Sequence, residues 1–179
     1  MREDKEPGIG GAGKTPGDAV QERGARGTVA GKGSEGEVRG KKPGTAVPEK
    51  GPEQMTGEQR IQALGACPYA RLLGMEILEA RPGYARVVMD ATGKENFLGV
   101  AHGGAIFSLA DQAFAAAANR GGLLQVAVSV HIHYLTPAKG RLEAVGRLIA
   151  ETDRTSHILV EVKSGERLVA TFEGVAYKA

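Results

Sequence analysis

Residues 103–119 read GGAIFSLADQAFAAAAN, and this stretch decides the fold. Ala, Leu, Phe and Ile dominate it, no Pro interrupts it, and Gly121-Gly122 follows as a stop signal, so it is a helix. It is apolar almost all the way round. A helix lying on a surface keeps a polar face, and a helix without one has to be enclosed by other structure. The single ionisable residue inside it is Asp111. A carboxylate carried into such surroundings is costly to keep charged, so it either gains partners or takes up a proton.

The flanking segments supply the enclosure. Strands are expected over 124–135, 141–151, 157–163 and 167–177, with Pro137-Ala138-Lys139-Gly140 and Ser164-Gly165-Glu166 as turns. Upstream, 75–80 and 84–90 read as strands joined by Arg81-Pro82-Gly83, and 92–101 as a loop. Residues 57–73 are helical, with Ile61, Leu64, Tyr69 and Leu72 on a rough helical period and a break at Pro68. Several long strands after one central helix define an α+β class: an antiparallel sheet wrapped around a long helix.

The loop before the helix, Asn96-Phe97-Leu98-Gly99-Val100-Ala101-His102-Gly103-Gly104, brings a polar residue, a histidine and two glycines to the helix start. Backbone N–H groups in a first helical turn have no partner inside the helix. Glycine there admits a close ligand oxygen, and the helix dipole favours negative charge, as acyl transfer requires of an oxyanion site. Gly103 and Asp111 are eight residues apart, which places them about 12 Å apart along the axis and about 80° apart around it. One chain cannot easily bring both to a single carbonyl carbon. Two such helices side by side in opposite senses can, and a two-fold dimer makes two equivalent sites this way.

Composition divides the chain near Met55. Residues 1–55 hold 13 Gly and 5 Pro, no aromatic residue, and charges of both signs, too little apolar surface to offset the entropy of ordering. A disordered Gly/Pro-rich tail is expected over 1–55 and a folded domain over 56–179. Met55 sits just before the domain, so the tail is open to being a product of start-site choice. Within it, Gly8-Ile9-Gly10-Gly11-Ala12-Gly13-Lys14-Thr15 fits the pattern of a phosphate-binding loop. That loop works between a buried strand and a helix; the charged residues upstream and Pro16-Gly17 downstream provide neither, so a chance match is the reading.

The net charge of +2 argues against a nucleic-acid partner, which leaves a basic stripe. No apolar run approaches the roughly 20 residues of a membrane span, and the N-terminus leads into glycine rather than an apolar secretory segment. A soluble cytoplasmic protein is expected. The lone Cys67 excludes an intrachain disulfide, and beside Pro68 it reads as a small apolar residue rather than a nucleophile.

These residues resemble the hotdog fold, and more closely the PaaI-like acyl-CoA thioesterases. The resemblance covers most of 60–179. It rests on Asn96 with His102-Gly103-Gly104, on Leu109-Ala110-Asp111, and on Ser129-Val130 with Tyr134-Leu135 and Pro137-Ala138. It implies that Asp111 is general base or nucleophile and that the Gly103 N–H polarises the thioester carbonyl. It implies further that Asn96, from the other subunit relative to Asp111, holds the thioester or the water, and that Ser129 orients Asp111 or the water. His102 is implied as a positioning residue, Gly104 and Phe97 as neighbours of the substrate. The implied partners are acyl-CoA and further copies of the chain, a dimer that doubles into a tetramer, with no metal or cofactor. Thioester chemistry agrees. The thiolate leaves readily, so an oxyanion donor and an activated water suffice.

Other readings compete. A non-catalytic acyl-CoA-binding module is the alternative, against which Asp111 stands. A hotdog hydratase would call for a D-x4-H arrangement on the long helix, but position 116 is Ala. His131 and His133 share one face of a strand with Ser129, yet no Cys or third His completes a zinc set, so they read as a solvent or subunit-interface face. Lys139, Arg147 and Arg154 read as solvated charges rather than contacts to coenzyme A phosphates. Phe97, Leu98, Phe107 and Phe114 are candidates for a pocket that suits an aryl or medium-length acyl group.

Overall fold

The computed structural model describes residues 51–179. The phosphate-loop-like residues 8–15 and most of the expected tail lie outside them. The described chain starts with a 3₁₀ turn, Pro52–Gln54, followed by α1 (Gly57–Ala66) and α2 (Pro68–Leu73). Thr56 caps α1 reciprocally: its hydroxyl accepts the Gln59 N–H at 3.2 Å and the Gln59 side chain accepts the Thr56 N–H at 2.9 Å. Pro68 stands in the first turn of α2, which is why the helical stretch is two helices and not one. Gly74, left-handed at φ 63°, ends the second.

Strands β1 (Glu76–Arg81) and β2 (Tyr84–Asp90) form a hairpin closed by Pro82-Gly83. Then come α3 (Gly103–Asn119) and β3 (Gln125–Tyr134), β4 (Arg141–Glu151), β5 (Thr155–Ser164) and β6 (Arg167–Lys178). All six strands form one antiparallel sheet in the order β1-β2-β4-β5-β6-β3. The sheet curls around α3, as expected from the helix's composition. Twelve of its 17 residues are buried, among them Ile106, Leu109 and Phe114.

Two glycines on the inner face let the strands approach the helix. A Cβ at Gly174 would stand 2.5 Å from the Phe114 ring, and one at Gly146 would stand 3.0 Å from the Ala113 carbonyl. The Phe114 ring also meets Phe172, at 5.8 Å between centroids. At the far end of α3 the buried Arg60 donates to the Gly122 carbonyl at 2.9 Å and to the Pro52 carbonyl at 3.1 Å. It thus pins the start of the described chain to the loop after the helix.

Helix α3 and strand β3 run antiparallel and are tied at both ends. The Tyr134 hydroxyl donates to the Gly103 carbonyl at 3.0 Å. At the other end the Asn119 amide accepts the Gln125 N–H at 2.9 Å and donates to the Gln125 carbonyl at 3.0 Å. β3 is an edge strand, and Val126, Val128 and Tyr134 are exposed along it.

Candidate active site

The site is organised around the start of α3. The chain enters through a tight loop whose root is held by the Ala101 N–H on the Ala138 carbonyl and the His102 N–H on the Lys94 carbonyl. Asn96 closes its tip. Its N–H donates to the Val100 carbonyl, its carbonyl accepts from Gly99, and its side-chain oxygen accepts the Leu98 N–H at 2.9 Å. Gly99 supplies the left-handed residue, φ 69°, that this turn needs. With the oxygen occupied, the amide NH₂ of Asn96 is the group left to meet a ligand. Phe97, at the tip, is 94% exposed.

His102 is the N-cap of α3. Its Nδ1 accepts the Gly104 N–H at 2.9 Å, and its carbonyl accepts from Ala105 and Ile106. A ring nitrogen here does the work usually done by a Ser, Thr, Asp or Asn oxygen. The Gly103 N–H has no acceptor among the described residues. Of the two glycines, Gly104 is therefore spoken for, and Gly103 carries the open donor at the positive end of the dipole.

Asp111 lies two turns further on. Gly104, Phe107, Asp111 and Ala115 are each less than fully buried, and they form the one stripe of α3 that the sheet leaves open. Burial pushes the Asp111 carboxyl above its ordinary value of 3.8, and among the described residues no hydrogen bond offsets it. Beside the stripe, the Ser108 hydroxyl donates to the Gly104 carbonyl at 2.8 Å and lies 2.9 Å from the Tyr69 hydroxyl, which ties α2 to the helix. Phe107 packs edge-on against Phe172 at 5.5 Å.

One chain brings Asn96, His102, Gly103 and Gly104 together and leaves Asp111 about 12 Å away along α3. Ser129 is the residue whose place the sequence does not foretell. Midway along β3, it is level with Asp111, midway along α3. Yet the register pairs Val130 with Gly174, whose Cβ position faces Phe114 on the helix, and pairs Ser129 with Val175. Directly paired residues share a face. Ser129 therefore stands on the outer face, while Val130 and Ile132 pack towards the core. A β-bulge at Ala127/Ser129 sets this phase. Tyr134 is the converse case: it carries part of the family resemblance, and the structure adds that its hydroxyl contacts the Gly103 carbonyl from the end of a strand whose alternate residues face the helix.

The family model for the thioesterase superfamily matches residues 98–171. The acyl-coenzyme A thioesterase PaaI of Escherichia coli is 35% identical over 113 residues, 61% of this chain and 81% of that protein. Its solved structure superposes with a TM-score of 0.64 at 31% identity, over 69% of this chain and 93% of that one. A single-residue mutant of the phenylacetic acid degradation protein PaaI from Thermus thermophilus gives 0.61 at 35% identity, over 63% of this chain and all of the other. The fold and these relatives define a hotdog thioesterase, an enzyme that hydrolyses thioesters. Within that superfamily the chain belongs to the PaaI-like thioesterases.

Proposed function

We propose that this thioesterase acts on acyl-CoA, aryl-acetyl-CoA included, in the cytoplasm, through sites built across a two-fold dimer. Residues 56–179 form the catalytic unit. The observation that carries the reading is the division of labour along α3: an open N–H at Gly103 and a partly buried carboxylate about 12 Å away at Asp111. The partner's helix, antiparallel beside the first, brings its Asp111 level with Gly103. The exposed edge of β3 is the natural seam, since unpaired strand edges invite a second strand, and Phe97 gains cover there. Two such dimers pairing give a tetramer.

In each site the thioester carbonyl oxygen rests on the Gly103 N–H, and the Asn96 NH₂ steadies the thioester or the attacking water. Asp111 of the partner takes a proton from water as the oxygen attacks the carbonyl carbon. The oxyanion then collapses, the C–S bond breaks, and the CoA thiolate leaves and is protonated, giving the free acid and CoA. In the nucleophilic variant Asp111 itself attacks and water hydrolyses the mixed anhydride. Neither route calls for a metal or cofactor. Gly104 and Phe97 border the acyl group, and His102 holds the helix start in place. Ser129, on the outer face of the sheet, stands away from the reacting atoms. A panel of acyl-CoA substrates followed by thiol release, with Asp111→Ala beside the wild type, tests the assignment: turnover is lost in a folded variant, and its persistence refutes the reading.

A further inference from the structure

On the outer face of β3 the Nε2 atoms of His131 and His133 lie 3.2 Å apart, with ring centroids at 4.4 Å. The distance is that of two ligands on one tetrahedral zinc, because Zn–N bonds of about 2.05 Å at the tetrahedral angle separate the nitrogens by about 3.3 Å. In the free chain one Nε2–H donates to the other ring. Accepting a metal requires only that this ring move its proton to Nδ1. Among the described residues of one chain no third His, Cys, Asp or Glu joins the pair.

The dimer supplies the remainder. A two-fold axis that sets Gly103 level with the partner's Asp111 passes midway between them, at the level of Phe107. Phe107 is a quarter of the way along α3 from Gly103, and a quarter of the way along β3 from Tyr134 is Ile132. The same axis relates the two edge strands, so Ile132 meets its own copy and His131 faces the partner's copy of His133 across the seam. Four imidazoles then gather around the axis on the outer face of the sheet. On β6, Glu173 is the direct neighbour of His131 and Thr171 of His133, and beyond Thr171 stands Glu161, paired with Lys163 at 3.1 Å. The carboxylate of Glu173 adds negative charge beside the cluster.

We propose that His131 and His133 of both subunits bind one divalent transition metal, zinc by geometry, which clasps the dimer on the face opposite the active sites. This rests on the dimer reading above, and the experiment separates the two. Untagged full-length protein is titrated with zinc at pH 7.5 against a chromophoric chelator, with sedimentation and thioester hydrolysis measured alongside. The expected result is one zinc per two chains, a rise in melting temperature of about 5 °C with zinc, and at least a tenfold loss of affinity in both His131→Gln and His133→Gln. The double variant keeps its hydrolysis, since neither histidine touches the site. A dimer that binds no zinc, or binds it equally well as the double variant, overturns the metal site and leaves the dimer standing. A monomer, or one zinc per chain, overturns the shared site, and an active monomer overturns the dimer reading with it.

Discussion

The Nδ1 of His102 accepts the Gly104 N–H at 2.9 Å, and this leaves the neighbouring Gly103 N–H as the free donor at the helix start. The positioning role proposed for His102 can be tested at this bond. His102→Ala exposes a second N–H and costs the helix its cap, about 1 kcal/mol of stability. His102→Asn restores an acceptor at the cap. Thermal unfolding should show the loss in the first variant and its recovery in the second, with kcat following the same order.

In the proposed mechanism Asp111 sets the pH behaviour. Its carboxyl binds a proton more tightly in the folded protein than in the unfolded one, because burial penalises the charge. Native stability from this group is therefore full below 3.8, the unfolded value, and is lost as pH rises through the higher folded value. Asp111→Asn should raise the melting temperature at neutral pH while lowering kcat by about 10²–10⁴-fold. The acid limb of kcat/KM in the wild type should fall above the range of an ordinary carboxylate.

Tyr134 ties the edge strand to the start of α3 through the Gly103 carbonyl, 3.0 Å away. Tyr134→Phe removes one hydrogen bond, about 1 kcal/mol, and loosens the helix start. A fall in kcat of several-fold with KM little changed is expected. By contrast Ser129→Ala, on the outer face, should leave kcat within about threefold of wild type, since removing a group outside the reacting shell takes little from the transition state. Steady-state kinetics of the pair decide between them.

Gly174→Ala forces a methyl group against the Phe114 ring, 2.5 Å from an ideal Cβ. Both sit in the packed core, so the ring or the strand must shift, at about 1–3 kcal/mol. Chemical denaturation should show a lower midpoint with an unchanged slope.

Much of this was legible in the residues. The apolar girth of 103–119 named the enclosed helix, Pro68 marked a helix boundary, and Pro82-Gly83 marked a hairpin. These are local signals, written in periodicity and turn chemistry. Strand order and phase are not local. The outward face of Ser129 depends on a bulge at Ala127/Ser129 and on which β6 residue it meets, and neither leaves a mark in the sequence. The convergence of His131 and His133 was visible only as shared parity on a strand; their 3.2 Å approach depends on rotamers. His102 could be seen at the helix start and Gly103 was already the expected donor, but the use of His102 as a cap on the Gly104 N–H required the geometry.

The central claim is that each site takes Asn96 and Gly103 from one chain and Asp111 from the other. Asn96→Ala and Asp111→Asn chains, each inactive alone, are mixed, exchanged under mild denaturant and refolded together. Half of the dimers are then hybrids holding one intact site and one doubly altered site, so about a quarter of the wild-type rate should return. If Asn96 and Asp111 serve a site from the same chain, every site in the mixture carries a defect and no activity returns.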